Sequence, residues 1–218
     1  MTYTQKPTII FDFDGTLADS FKWIERIFRE ISGIELMLGP KDAAGVVGVV
    51  GLARRLNLAY WKLPFMLREG RRLQAYYIDR VQPFNGMAEL LRELHDAGYP
   101  LMIVSTNTTK NIRTFLRLHS LDECFDSVHG SRGRIGSKIR AIRAVLKAQK
   151  LRPKHCILVG DEVRDIEAAR AAGIPSIAVE WGFDGATVLA RHKPTVLVAT
   201  PADLKMAIKD MADQHGRG

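Results

Sequence analysis

Two acidic turns, one lysine and one run of hydroxyl and amide residues carry the chemistry open to this sequence. In TIIFDFDGTLADS, residues 8–20, an apolar run ends on Asp12 and Asp14, with Gly15 and Thr16 behind them. In CILVGDEVRD, residues 156–165, a second apolar run ends on Asp161, with Asp165 four residues on. A third run, LMIV, leads into Ser105, Thr106 and Asn107, and Lys138 stands at the start of a helical pattern. Carboxylates held close together repel and desolvate one another, so they cannot all stay ionised unaided. A divalent cation removes that difficulty. Hard oxygen ligands of this kind suit Mg²⁺, which keeps several waters and binds through one or two carboxylates plus a substrate phosphate. The hydroxyls, backbone N–H groups and Lys138 are the right donors for the remaining phosphate oxygens.

The elements that must position these residues are legible in the hydrophobic pattern. Strand-like runs occur at TIIFDF, at 99–106, 156–161 and 175–181, and at 194–200. They are continuously apolar, as expected of strands covered on both faces. Amphipathic helices fall between them: GMAELLRELHDAG at 86–98, ending at a Gly suited to a C-terminal cap, then SKIRAIRAVLKAQK and RDIEAARAAG. Alternating strands and helices predict an α/β fold, a Rossmann-like open parallel sheet with helices on both faces. In such sheets ligands bind at the carboxyl ends of the strands, which is where the acidic turns fall.

One segment breaks the alternation. Between Ser20 and Asp79 the patterns are helical: FKWIERIFREISG, KDAAGVVGVVGLARRLN and FMLREGRRLQAYYIDR. VVGVV is flanked by glycine and lies between helical stretches, so it is not read as a strand. The expected organisation is a discontinuous α/β core, residues 1–17 and 81–218, with a small all-helical domain at 18–80 inserted after the first strand. Asp19 and Ser20 are expected to cap the first inserted helix, and Asp165 to cap a helix beginning near Ile166.

The chain has 218 residues, 46% of them hydrophobic, enough for one sizeable core. No apolar run reaches the roughly 18 residues a membrane span needs, and the N-terminal residues lack a signal pattern. A soluble, cytoplasmic protein is expected. Cys124 and Cys156 are read as packing residues, and the six histidines show no zinc-site spacing. The net charge of +8 attracts anions. The basic residues are dispersed, without a nucleic-acid-binding signature, so the expected partner is a small phosphorylated metabolite rather than nucleic acid or membrane.

Taken together the motifs resemble those of the haloacid dehalogenase superfamily. FDFDGT resembles its first motif, Ser105/Thr106 its second, Lys138 its third and GDEVRD its fourth, in the family's order across residues 12–165. VQPFNGMAELLREL and IEAARAAGIPSIAVEWGF are similar to the phosphoglycolate phosphatase-like branch. The resemblance implies an Mg²⁺-dependent phosphatase with Asp12 as nucleophile and Asp14 as general acid and base. Asp161 would be a direct metal ligand, Asp165 would support the metal site, and Asp12 and the Asp14 carbonyl would complete it. Lys138 would neutralise charge between nucleophile and phosphate. Ser105 or Thr106, with Asn107, would hold the phosphoryl group.

The inserted helices resemble the family's cap, with LADS and VQPFNG as its hinge strands. Among Arg54, Arg55, Lys62, Arg68, Arg71 and Arg72, some are expected to face the site and bind an anionic substrate tail, while Trp23 and Trp61 are read as packing residues. The alternatives are a phosphomutase of the same fold, a dehalogenase (which Asp14 argues against), and a non-catalytic or nucleic-acid-binding protein. Monomer and homodimer are equally compatible with the sequence.

Overall fold

Strands whose side chains are apolar at every position can only be satisfied between two layers of helices, and the chain builds that arrangement. The computed structural model describes residues 6–34, 63–131 and 138–215. Strand β1 (Thr8–Phe11) is followed by the short β2 (Ala18–Asp19), helices α1 (Phe21–Ser32) and α2 (Leu63–Tyr77), and the short β3 (Gln82–Pro83). Then come α3 (Met87–Asp96), β4 (Leu101–Thr108), α4 (Thr109–Leu118), β5 (Ser127–Ser131) and α5 (Lys138–Ala148). The chain continues with β6 (Cys156–Gly160), α6 (Val163–Ala172), β7 (Ser176–Val179), α7 (Ala186–Arg191), β8 (Val196–Val198) and α8 (Pro201–His215).

Six strands form one parallel sheet in the order β5-β4-β1-β6-β7-β8. Alternate residues serve opposite faces, as the pleat requires. Ile9, Phe11, Leu101, Ile103 and Val159 pack on the side of α3, α4 and α8. Ile10, Met102, Val104 and Leu158 pack on the side of α5 and α6. The first side is the larger core and holds Phe13 and Phe115 edge to face, 5.0 Å between ring centres. The strand order reverses direction around β1, so its carboxyl end opens into the crevice where open α/β sheets bind ligands.

The five apolar runs of the sequence all prove to be strands, but the third in sheet sequence was not signalled by hydrophobicity. Strand β5, SVHGS, is an edge strand paired only with β4 and half-buried throughout, so it carries no apolar run. Helices α4, α7 and α8 likewise go beyond the expected elements. Helix α6 starts at Val163 rather than near Ile166, which places Asp165 inside its first turn.

Strands β2 and β3 pair antiparallel, Ala18 with Pro83 and Asp19 with Gln82, at the two points where the chain leaves and re-enters the core. Asp19 is therefore a strand residue and not a cap. Ser20 occupies the N-cap position of α1, but its side chain makes no cap hydrogen bond. Helices α1 and α2 pack through Ile27, Leu73 and Tyr77, with Trp23 and Ile31 alongside. VVGVV, Arg54, Arg55, Trp61 and Lys62 lie outside the described residues. No helix among those described is long and apolar enough to cross a membrane.

Phe115 is fully buried and its ring supports Phe13, the residue between the two acidic side chains of the first turn. Phe115→Ala is expected to cost about 3–5 kcal/mol of unfolding free energy, read as a lower urea midpoint at unchanged slope.

Candidate active site

The acidic turns meet because β1 and β6 are adjacent and in register, Phe11 beside Val159. Asp12 continues the ladder by donating its N–H to the Val159 carbonyl, 2.9 Å. From there the carboxylates of Asp12, Asp161 and Asp165, all buried, bring one oxygen each within 4.8 Å of one another. Lys138, from the start of α5, inserts its ammonium among them. Its Nζ lies 2.6 Å from Asp12 Oδ2 and 2.5 Å from Asp165 Oδ1, with the lysine side chain only 4% exposed.

Asp161 is held from two directions. The Thr16 hydroxyl donates to its Oδ1 at 2.6 Å and the Phe183 N–H to its Oδ2 at 2.8 Å. Gly15 explains the DGT pattern at this point. Its φ is +79°, and a β-carbon there would stand 2.2 Å from Asp161 Oδ2. Gly182 meets the same carboxylate on the other side, where a β-carbon would stand 2.2 Å from the Asp161 side chain. Asp165 accepts from the Glu162 N–H at 3.1 Å, and Asp184 accepts from the Val163 N–H at 2.7 Å, so the start of α6 is tied down by two carboxylates.

Asp14 stands apart from the three-carboxylate cluster. Its Oδ2 accepts from the Asn107 side-chain amide at 2.9 Å. Asn107 is itself fixed, its Oδ1 accepting from the Thr108 N–H at 2.8 Å and from Asn111 Nδ2 at 3.1 Å. Asn107 thereby links the end of β4 to the Asp14 carboxylate. Ser105 is buried and its hydroxyl accepts from the Asn107 N–H at 3.1 Å, whereas the Thr106 residue is exposed. A small cavity opens beside Asp14 and Asn107, walled by Trp23 and Tyr77 of the two inserted helices. Arg68 and Arg72 do not line it. They are exposed and pair with Glu69 on their own helix.

The two leading acids are driven in opposite directions. Burial alone would raise the Asp12 carboxyl, but Lys138, then Arg164, outweigh it and hold it below its ordinary value. Asp14 is pushed up to about 6, by burial first and then by the charge of Asp12, against the opposing hydrogen bond from Asn107. Burial and the neighbouring carboxylates also raise Asp161 and Asp165, the latter against the pull of Lys138. One acid kept ionised beside one kept near its protonation point is the division of labour that acid–base catalysis requires.

Two residues of the site went unassigned from sequence. Glu162 is buried, pushed up to about 8 chiefly by burial, and forms an ion pair with Arg164. Both lie inside GDEVRD, where a charged pair two residues apart at the end of a buried strand was the available signal.

Fold and site define an open α/β protein of the kind that sets paired carboxylates at the carboxyl end of a parallel sheet. The comparison with known families agrees: residues 9–179 match the model of the haloacid dehalogenase-like hydrolases. The chain is 33% identical over 211 residues to a phosphoglycolate phosphatase of Synechococcus elongatus, covering 94% of this chain and 99% of that one. It is 28% identical to a 5′-nucleotidase of Pseudomonas aeruginosa, covering 93% and 96%. A solved haloacid dehalogenase-like hydrolase of Streptococcus pneumoniae superposes with a TM-score of 0.80 at 26% identity, covering 91% and 96%. The chain belongs to the haloacid dehalogenase-like hydrolase family, and it is an enzyme.

A carboxyl whose pKa is raised on folding stabilises the fold fully below its ordinary pKa and loses that contribution as pH rises through the raised value. Asp14, raised to about 6, and Glu162, raised to about 8, therefore make the metal-free protein less stable as pH climbs from their ordinary values toward about 8. Asp12, held low, has the opposite sign, but its contribution is lost only below its ordinary range. A divalent cation in the nest relieves the repulsion only once the acids are ionised. Thermal melts are expected to show a larger gain in Tm from added Mg²⁺ at about pH 8 than at about pH 5; an equal gain at both would contradict the crowding account.

Proposed function

We propose that the chain is a divalent-cation-dependent phosphatase that hydrolyses a small phosphate monoester through an aspartyl-phosphate on Asp12. The observation that carries this reading is the contrast between Asp12, ionised against Lys138, and Asp14, held near its protonation point by burial. An Asp12 oxygen attacks phosphorus as the bond from phosphorus to the ester oxygen breaks. Asp14, oriented by Asn107, gives its proton to the departing alkoxide and leaves as carboxylate. The same carboxylate then takes a proton from water as that water attacks phosphorus, which releases phosphate and regenerates Asp12. Lys138 offsets the charge that gathers between nucleophile and phosphoryl oxygens. Ser105, buried at the end of β4, is the better placed of the two hydroxyl residues to hold the phosphoryl group.

The donor set fits a hard cation. Three buried carboxylates converge, the cluster contains neither His nor Cys, and its acids resist joint ionisation. Asp12, Asp161 and Asp165, with the Asp14 carbonyl, would hold Mg²⁺, which when bound supplies charge compensation for the carboxylates and the phosphate. Residues 18–80 serve as a cap over a core of 1–17 and 81–218. The paired β2 and β3 at the crossings, and inserted helices that wall the cavity beside Asp14, support this division. The relatives named phosphoglycolate phosphatase and 5′-nucleotidase support the reaction class.

Release of inorganic phosphate from a panel of phosphorylated metabolites, including phosphoglycolate and sugar phosphates, tests the reading. Turnover is expected to require Mg²⁺ and to fall about a thousandfold or more in Asp12→Asn and about 10²- to 10⁴-fold in Asp14→Asn. Interconversion of sugar-phosphate isomers without phosphate release would point instead to a phosphomutase. Lys138→Met leaves two buried carboxylates without their partner, so it is expected to cost about 3–5 kcal/mol of stability by urea unfolding as well as activity.

A further inference from the structure

We infer that Asn111 is a positioning residue for the proposed proton transfer: acting through Asn107, it holds the Asp14 carboxyl so that the acid proton sits on Oδ1 and not in a hydrogen bond to the protein amide. This rests on the reading that Asp14 is the general acid, and it adds to the site a side chain that acts only through another.

The side-chain amide of Asn107 can face Asp14 in two ways. As a donor it leaves the acid proton available to the leaving group. As an acceptor it would take that proton into a hydrogen bond of its own, away from the ester oxygen. The direction is settled at the other end of the amide. The backbone N–H of Thr108 is a donor only, and it lies 2.8 Å from Asn107 Oδ1. Asn111 adds a second donor, its Nδ2, at 3.1 Å from the same oxygen. The Nδ2 end of Asn107 therefore faces Asp14 Oδ2, at 2.9 Å. Turning the amide over would set both N–H donors against an NH₂ group and leave them unpaired, which is costly in a buried place. An oxygen that carries a proton is the poorer acceptor, so the amide keeps Oδ2 unprotonated and the acid proton is carried on Oδ1. Ser20 also neighbours Asp14, but a hydroxyl donates or accepts as required, so it sets no direction.

Packing does not account for an asparagine at position 111. The residue is buried in the first turn of α4, beside the buried Ile112, Phe115 and Leu116. An apolar side chain would serve there, and a buried amide is unfavourable unless its hydrogen bonds are made. Capping does not account for it either. The cap of α4 is Thr108, whose hydroxyl accepts from the Asn111 N–H at 3.2 Å, while the Asn111 side chain reaches back four residues to Asn107. The backbone under Asn107 is already fixed. Its N–H donates to the Ser105 hydroxyl at 3.1 Å, and the Gly130 N–H donates to Thr109 Oγ1 at 3.1 Å. A β-carbon at Gly130 would stand 2.7 Å from the Asn107 carbonyl oxygen, so β5 lies hard against this turn. Rotation of the Asn107 side chain is the freedom that remains, and Asn111 restrains it.

Phosphate release with Mg²⁺ from benzyl phosphate and p-nitrophenyl phosphate tests the inference. Benzyl alkoxide needs the acid proton in order to leave; p-nitrophenolate is stabilised and needs it far less. The measured quantity is kcat/KM, which reports the steps through transfer to Asp12 and not the later attack by water. Asn111→Ala and Asn111→Leu both remove the donor but differ in volume. Each is expected to lower kcat/KM about tenfold for benzyl phosphate and less than about twofold for p-nitrophenyl phosphate. Asn107→Ala removes the amide itself, and adding Asn111→Ala to it is expected to leave the ratio of the two esters where Asn107→Ala put it. Equal falls for both esters, unchanged rates, a ratio that drops again in the double variant, or loss of the folded state in both Asn111 variants would overturn the inference while leaving the phosphatase reading intact. No phosphate release from either ester by the unsubstituted chain would overturn both.

Discussion

The Lys138 ammonium, enclosed between Asp12 and Asp165, is the interaction on which the rest of the site depends. Burying a lysine is unfavourable by itself, and so is burying either carboxylate. Together they are tolerable, and the balance is uneven in a useful way. Lys138 stays protonated because two acids face it, their pull outweighing burial. Asp12 stays ionised because Lys138 and Arg164 face it. The surplus of negative charge then falls on Asp161, Glu162 and Asp165, whose carboxyls are all pushed up. A site so arranged holds one ionised carboxylate, Asp12, and a standing demand for more positive charge.

Meeting that demand in a fixed place requires a rigid frame, and the parallel sheet supplies it. β1 and β6 are neighbours, so their carboxyl ends deliver Asp12 and Asp161 to adjacent positions with backbone precision. β4 flanks β1 on the other side and delivers Ser105 and Asn107. The loop after β7 completes the enclosure through the Phe183 N–H to Asp161 and the Asp184 carboxylate at the start of α6. The same loop carries Trp181, whose indole donates to the Thr16 carbonyl at 3.1 Å, closing the ring of contacts back onto the first turn. Two glycines are needed because Asp161 comes so close to the backbone at 15 and 182 that no side chain fits there.

The inserted helices act on a different part of the problem. They bring Trp23, Ile24, Ile27 and Tyr77 to the cavity beside Asp14, and Phe21 of α1 packs on Phe183. The Asp14 carboxyl thereby lies among apolar groups, and burial raises it. The paired β2 and β3 join these helices to the sheet.

The acidic turns, their attachment to buried strands and the helices α1 and α2 were legible in the sequence. The strands announced themselves through continuous apolar runs, and a carboxylate at the end of such a run has few structural reasons to be there. Strand β5 and helices α4, α7 and α8 were not read out. SVHGS shows why: an edge strand paired on one side and half-buried needs no apolar signature. The functional partnerships were decided only in three dimensions. Nothing local couples Lys138 to Asp165, Thr16 to Asp161 across 145 positions, or Asn107 to Asp14 across 93. The Asn107 amide reaches Asp14 because the turn of β4 beyond Ser105 aims it at the first loop. Residue type and strand-end position fix which groups can do chemistry. Which of them share a proton, a charge or a cavity is fixed by strand order and register, and those are properties of the assembled sheet.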